Sequence, residues 1–205
     1  NPKNLDKLDR YREIAQRLAH PQGLSDDDAR RLAREGKVFV HLDGGCHATE
    51  VAGPQMTLQL AYDLVSRADE AGVKEILDND IVMLWPTMNP DGQQMVGEWL
   101  ARNAGTPYEQ SGLPRLYQEY VGHDNNRDAY MLNMIESRVM EHFWRQWEPN
   151  IVYVFHQSSP FPTRIWLPPF SEPVGLDAPY LVSREINMIG MAIAKSLEER
   201  GQVGA

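Results

Sequence analysis

Runs of apolar residues bounded by turn signals predict short buried strands along this chain. Four such runs occur, at 37–42, 81–85, 151–155 and 164–167. Elsewhere apolar residues recur at spacings of three and four, which is typical of helices with one buried face. This second pattern predicts helices at 6–19, 25–34, 54–68, 135–147 and 181–200. Because strands alternate with helices, we expect an α/β fold with a mixed, mostly parallel sheet flanked by helices.

The segment 86–130 follows neither pattern and is rich in Gly, Pro, Asn and Asp. We therefore expect a long irregular loop, and loops of this length in compact domains are usually functional or disordered. The aromatic residues and arginines in this segment favour a function. Ligands of parallel sheets bind beyond the carboxyl ends of the strands, and the most polar clusters of this sequence lie at those positions.

Composition narrows the class of protein. The 205 residues include 42% hydrophobic and 24% charged side chains, as in ordinary globular proteins. The formal net charge of −9 argues against a nucleic-acid binder, which needs clustered Lys and Arg. No apolar run approaches the roughly 18 residues of a membrane-spanning helix. Cys46 has no second cysteine with which to form an intrachain disulfide.

The ends of the sequence lead us to expect an incomplete domain. The first residue is Asn rather than Met, and the last predicted helix is followed by only a few residues and no closing strand. We therefore expect 1–205 to be one partial domain, truncated at both ends, with 1–36 as a helical lead-in that belongs to it.

The first candidate site follows the strand at 37–42. It has the pattern Gly-Gly-Cys-His-Ala-Thr-Glu, in which His47 and Glu50 are three residues apart. In a turn that leads into a helix, residues at this spacing can face the same side and reach one metal ion. A surface histidine beside an acidic helix N-terminus is the ordinary structural alternative.

His156 directly follows the strand at 151–155 and occupies an equivalent strand end. Two histidines and a glutamate with an open fourth position form a catalytic zinc arrangement. A histidine that is merely part of the structure is the alternative for this position. Four other histidines are weaker candidates because of their predicted surroundings; they are His20, His41, His123 and His142.

A third cluster lies in the loop at 86–130. It contains Asn-Pro-Asp-Gly at 89–92, Arg102, and Gly-His-Asp-Asn-Asn-Arg-Asp at 122–128. The planar guanidinium of arginine suits a carboxylate or an oxyanion, and asparagine adds a neutral amide donor. Taken alone, Arg127 would be read as a surface or salt-bridged arginine, and Pro-Asp-Gly as a turn.

Four motifs occur in a fixed order: Gly-Gly-x-His-x-x-Glu after a strand, Asn-Pro-Asp-Gly after the next strand, Gly-x-Asp-x-Asn-Arg, and a histidine that ends a strand. This order resembles the zinc carboxypeptidases of the M14 family, the carboxypeptidase A type, over about residues 38–157. The segments HATEVAG and GHDNNRDAY look like the bacterial branch of that family.

The resemblance implies one Zn²⁺ ion bound by His47, Glu50 and His156. It further implies that Asp124 orients a ligand histidine and that Asn126 and Arg127 hold the terminal carboxylate of the substrate. Arg102 would match the arginine that polarises the scissile carbonyl, although Arg115 lies in the same loop.

The implied activity is hydrolysis of the C-terminal peptide bond of peptides and proteins by zinc-activated water. The general-base glutamate of the family lies well after the third zinc ligand. No carboxylate of this chain beyond His156 lies at a predicted strand end, so we expect the base beyond residue 205. The resemblance favours a secreted or periplasmic protein and says nothing of its oligomeric state.

Two other functions are compatible with the same residues. One is a zinc deacylase or amidase that acts on N-acyl amino acids, which also end in a carboxylate. The other, if the chain is complete, is a non-catalytic, zinc-dependent module that binds peptide C-termini.

Overall fold

The computed structural model describes residues 1–118, 120–157, 165–170 and 177–202. The chain forms two compact units, 1–157 and 158–205. The described helices and strands are, in order, α1 Pro2–Leu5, α2 Leu8–Ala19, α3 Asp26–Glu35, β1 Val38–Asp43, α4 Ala52–Ser66, α5 Ala71–Asn79, β2 Asp80–Trp85, α6 Pro90–Asn103, α7 Ile135–Trp147, β3 Ile151–Val154 and α8 Tyr180–Glu199. A 3-10 turn, Asn125–Arg127, lies between α6 and α7.

The first unit contains a parallel sheet with β1 in the middle, in the order β2-β1-β3. β1 pairs with β2 from Val38↔Asp80 to Asp43↔Trp85, and with β3 from Val40↔Ile151 to Asp43↔Val154. The predicted α/β fold class is thus confirmed. The chain moves outward from β1 to β2 and then returns past β1 to β3. A reversal of this kind opens a crevice beyond the carboxyl ends of the strands.

The core lies against one face of β1. Phe39 is fully buried and packs with Tyr11 and Ala15 of α2 and with Trp147 of α7. A second cluster, at the carboxyl end of the sheet, contains Cys46, Met88 and Met140. Because side chains alternate along a strand, the residues that share the face of Phe39 on β1 are His41 and Asp43, and both are fully buried.

α6 corrects the prediction of an irregular segment at 86–130. Its first residue is Pro90, and Asn89 caps the helix because its Oδ1 accepts the Gly92 N–H at 3.0 Å. Asn at the N-cap and Pro in the first turn are strong signals of a helix start. The sequence Asn-Pro-Asp-Gly also fits a turn, and for that reason the sequence analysis did not predict the helix. The sequence analysis also missed α1 and α5. At α5 the preceding Glu70 makes no side-chain cap that would have marked the start.

The second unit is described by α8 and by residues 165–170. α8 was predicted from its apolar spacing and is confirmed. Gly190 packs against Pro168, since a Cβ at Gly190 would lie 2.2 Å from the Pro168 carbonyl oxygen. Of the strand predicted at 164–167, residue 164 lies outside the described residues and 165–167 form no strand. Among all described helices, none has the length and apolar character needed to cross a membrane.

His41 is a polar residue inside the aromatic core. Its ring is in edge contact with Trp85, Phe143 and Trp144. The indole Nε1–H of Trp144 donates to His41 Nδ1 at 2.7 Å, so a neutral imidazole carries its proton on Nε2. Burial lowers the pKa of His41 to about 4, which keeps the ring neutral at physiological pH.

We predict that His41 makes the fold sensitive to mild acid. Below the usual histidine pKa of about 6.5, His41 binds a proton in the unfolded chain but not in the folded chain. The free energy of unfolding therefore decreases as the pH is lowered. Between about pH 7.5 and pH 5 the free energy of unfolding of the wild type should decrease by roughly 2 kcal/mol more than that of His41→Gln. Glutamine at this position keeps an acceptor for Trp144. Urea denaturation at both pH values measures this difference. The control His142→Gln replaces an exposed ring and should keep the wild-type pH dependence. An equal dependence in His41→Gln would contradict the assignment.

Candidate metal centre

The loop that follows β1 (residues 44–50, here the β1 loop) depends on the close approach of two backbones. A Cβ at Gly44 would lie 2.6 Å from the Gly53 carbonyl oxygen, and one at Gly53 would lie 2.0 Å from the Gly44 oxygen. Gly44 also donates its N–H to the Trp85 carbonyl at the end of β2, at 2.9 Å. Glycine at both positions therefore lets the β1 loop fold back onto the start of α4.

The buried carboxyl group of Asp43, at the end of β1, also holds the β1 loop in place. Asp43 Oδ1 accepts the Gly45 N–H at 3.1 Å, and burial raises the pKa of Asp43. On the other side, Thr87 Oγ1 donates to the Gly45 carbonyl at 3.0 Å. The backbone before His47 is thus held by contacts from β1 and from the residues after β2.

Three side chains converge at the carboxyl end of the sheet. His47 Nδ1 lies 2.7 Å from Glu50 Oε1, and His156 Nδ1 lies 3.0 Å from Glu50 Oε2. One ligand atom from each residue lies within 4.8 Å of the other two. The structure therefore brings together the three residues that the sequence analysis proposed as metal ligands.

The chemistry of this donor set fits zinc. Two imidazole nitrogens and one carboxylate oxygen are ligands that zinc binds at about 2.0–2.2 Å, leaving a fourth position open. His47 Nε2 lies 2.9 Å from Asp124 Oδ1. Both ring nitrogens of His47 thus face a carboxylate, which only accepts. With a metal ion on Nδ1, Asp124 would hold the ring proton on Nε2. The predicted contact of Asp124 with a candidate ligand histidine is present in the structure.

The electrostatics of the cluster follow from these contacts. Burial opposes the charged form of Glu50, but the Gln157 N–H and the two imidazoles outweigh it, so the pKa of Glu50 is lowered. Burial likewise opposes protonation of His47, yet Glu50 and Asp124 leave the pKa of His47 raised. Glu50 is therefore an anion between two imidazoles.

The 3-10 turn Asn125–Arg127 lies beside this cluster. Asp124 caps the turn, since its Oδ1 accepts the Asn126 N–H at 2.8 Å as well as facing His47. Asn126 Nδ2 lies 3.4 Å from His156 Nε2. Burial opposes the charged form of Asp124, but the Asn126 N–H, His47 and, to a smaller extent, the positive charge of Arg127 lower the pKa of Asp124. The Arg127 side chain is exposed. The turn thus presents an amide and a guanidinium next to the candidate ligands.

The structure records no contact between Arg102 and the three candidate ligands. Arg102 lies in the last turn of α6, where its guanidinium pairs with Glu98 at 3.1 Å. The opposite end of α6 is the one near the β1 loop, because a Cβ at Gly92 would meet Ala48 Cβ at 2.9 Å. The role assigned to Arg102 stays a prediction.

Two side chains of the site region had no role in the sequence analysis. Asp128 is fully buried, and its carboxylate accepts from the Met134 N–H at 2.8 Å, the Asn133 N–H at 3.2 Å and His123 Nε2 at 2.9 Å. Asn125 is also buried, and its side-chain amide donates to the Cys46 carbonyl. Both lie in the Gly-His-Asp-Asn-Asn-Arg-Asp motif, which marked the segment but not these contacts.

The fold and the donor set together define a class, an α/β domain with a candidate metal site at the carboxyl end of its parallel sheet. Residues 17–163 match the Peptidase M14 family, described as zinc carboxypeptidase, and the chain belongs to that family. The resemblance to the M14 zinc carboxypeptidases is thereby confirmed, whereas the bacterial branch stays a prediction.

Individual relatives are fungal carboxypeptidases. The chain is 27% identical over 121 residues to "Probable carboxypeptidase 2" of Trichophyton verrucosum (strain HKI 0517) and of Arthroderma benhamiae (strain ATCC MYA-4681 / CBS 112371). The identity to "Carboxypeptidase 2" of Trichophyton tonsurans is the same. Each match covers 59% of this chain and 19% of the relative, so the chain spans about a fifth of these proteins. No solved structure matches significantly.

We predict that Gly53→Ala destabilises the first unit. The new Cβ would overlap the Gly44 oxygen, and overpacking of this kind typically costs about 1–3 kcal/mol. Gly72→Ala is the matched control, because no atom lies within 4 Å of a Cβ at that position. Chemical denaturation of the three proteins checks this. A free energy of unfolding for Gly53→Ala equal to that of Gly72→Ala would contradict the close approach.

Proposed function

We propose that this chain is part of a zinc metallocarboxypeptidase that hydrolyses the C-terminal peptide bond of peptides and proteins. The observation that carries the proposal is the convergence of His47, Glu50 and His156 beside the turn that bears Asn126 and Arg127. An enzyme that removes the last residue of a peptide by metal-assisted hydrolysis needs a metal site and a carboxylate-binding site side by side. Membership of the zinc carboxypeptidase family supports the same activity.

The zinc ion would be held by the Nδ1 atoms of His47 and His156 and by the Glu50 carboxylate. When bound, zinc supplies Lewis-acid chemistry, lowering the pKa of a water molecule and polarising a carbonyl. The chain contributes the preparation of the ligands. Asp124 holds the Nε2 proton of His47, and the Gln157 N–H holds Glu50 Oε2 at 2.9 Å.

The Asn126–Arg127 pair would select the end of the substrate. An exposed guanidinium can form paired hydrogen bonds with a carboxylate, and a neighbouring amide N–H adds a third donor. A peptide that ends in an amide lacks the negative charge, so it would bind weakly. This selection would make the enzyme an exopeptidase.

Hydrolysis of N-acyl amino acids is the second candidate. The same two side chains favour it, because these compounds also end in a free carboxylate. Peptides with free C-termini, the same peptides as C-terminal amides, and N-acyl amino acids form a panel that separates the two activities. Binding of the free C-termini without turnover of any compound would instead indicate a non-catalytic binding module.

We predict that the chain binds one zinc ion and that each ligand is needed. Alanine at His47, Glu50 or His156 should reduce zinc affinity by at least about 100-fold, because three protein ligands leave no spare donor. Equilibrium dialysis with elemental analysis measures the stoichiometry, and competition with a chromophoric chelator measures the affinity. His20→Ala replaces an exposed histidine paired with Glu148 and should bind zinc like the wild type. Undiminished zinc affinity in His47→Ala would refute the site.

We predict that Arg127→Ala separates carboxylate binding from metal binding. Loss of a charged hydrogen-bonding partner should weaken the binding of an N-acyl amino acid by about 10- to 100-fold. Zinc content should stay equimolar, because Arg127 contributes no ligand. Isothermal titration of the zinc-loaded proteins measures the affinity. Arg145→Ala removes an exposed arginine paired with Glu141 and serves as the control; equal affinities in the two variants would exclude the role of Arg127.

A further inference from the structure

Asn125 connects the carboxylate-binding turn to the β1 loop. It is the first residue of the 3-10 turn, only 2% exposed, and its Nδ2 donates to the Cys46 carbonyl. Cys46 directly precedes the candidate ligand His47, and Asn125 directly precedes Asn126 and Arg127. One side-chain hydrogen bond therefore joins two segments that lie 79 residues apart.

The two neighbouring connections are of a different kind. Asp124 reaches the β1 loop through the His47 ring, and Asn126 reaches β3's end through the His156 ring at 3.4 Å. Both connections use side chains that would also bind the metal. The Asn125 bond uses the backbone of the β1 loop instead, so it fixes the turn without engaging a ligand.

The hydrogen bonds of the buried Asn125 side chain indicate why asparagine is needed at this position. Asn125 Oδ1 is buried and makes no hydrogen bond within the part of the chain that the structure describes. An unpaired buried acceptor is unfavourable, and an apolar side chain of similar size would avoid it. The contact that distinguishes asparagine from such a side chain at this position is the Nδ2 bond to Cys46.

The turn is also held at its far end. The Asp128 backbone N–H donates to the Asn125 carbonyl at 3.0 Å, and the buried Asp128 carboxylate is tied to the residues that begin α7. Between Asp124 at one end and Asp128 at the other, the bond from Asn125 joins the turn to the backbone of the β1 loop.

We propose that Asn125 is a positioning residue whose side-chain amide sets the distance between the candidate metal ligands and the Asn126–Arg127 pair. The inference rests on the proposed carboxylate-binding role of that pair. Asn125 itself touches neither zinc nor substrate. Its effect is on the preference for a free carboxylate, since a small displacement of the binding pair weakens a two-point contact that needs both the metal and the turn.

The test compares Asn125→Ala with the wild type and with Asn133→Ala. Asn133 lies in the same segment with an exposed side chain. Each zinc-loaded protein is titrated with an N-acyl amino acid and with its C-terminal amide, and zinc content and melting temperature are recorded. We expect equimolar zinc in all three proteins. The preference for the carboxylate over the amide should fall about tenfold in Asn125→Ala, the effect of losing roughly one hydrogen bond, and stay unchanged in Asn133→Ala.

Two failures are distinguishable. A wild type that binds zinc but does not prefer the carboxylate refutes the proposed carboxylate-binding role. A wild type with this preference, kept in full by Asn125→Ala, refutes the positioning role alone.

A measurement on the wild type tests the hydrogen bond between Asn125 and Cys46 even if Asn125→Ala does not fold. The side-chain amide protons of Asn125 should exchange with solvent at least about tenfold more slowly than those of Asn133, because a buried bonded amide must open first. Two-dimensional NMR of the zinc-loaded chain follows both. Equal exchange rates would overturn the inference, because the bond to Cys46 would then not persist.

Discussion

The parallel pairing of β1 with β3 brings His156 to Glu50. The two residues are 106 positions apart in the chain, and they meet because Asp43 and Val154 are register partners at the ends of their strands. The Phe155 N–H donates to the Asp43 carbonyl at 2.8 Å and extends this pairing by one step. Since side chains alternate along a strand, a slip of one residue would turn His156 to the other face of the sheet.

The position of β1 depends in turn on what its buried face contacts. Phe39 packs against α2 and α7, whereas His41 lies among Trp85, Phe143 and Trp144. The fold accepts a neutral imidazole in this aromatic core, with one of its nitrogens bonded to Trp144. The strand that carries the β1 loop is therefore held by aromatic packing below the site and by polar contacts at the site itself.

Acidic groups organise those polar contacts. Glu50 lies between the two imidazoles, and Asp124 is shared by His47 and the Asn126 N–H. Asp128, fully buried, holds the residues between the 3-10 turn and α7. The three candidate metal ligands and the proposed carboxylate-binding turn thus form one hydrogen-bonded unit, and Asn125 adds a connection that does not involve a candidate ligand.

The sequence by itself determined the α/β class, the main strands and helices, the family, and the three residues that converge at the strand ends. These features depend on local periodicity and on the order of short motifs, which a linear pattern records. Local composition misled at α6, because Asn-Pro-Asp-Gly fits both a turn and a helix start and only the contacts of Asn89 distinguish them. The tertiary structure alone decided that β1 lies between β2 and β3, that Arg102 pairs with Glu98, and that Asn125 bonds to Cys46. Each of these depends on which groups the fold brings together in space. Sequence spacing does not indicate such contacts between residues many positions apart. It also could not indicate the pairing of Arg102 with Glu98, because the helix that carries both was not predicted.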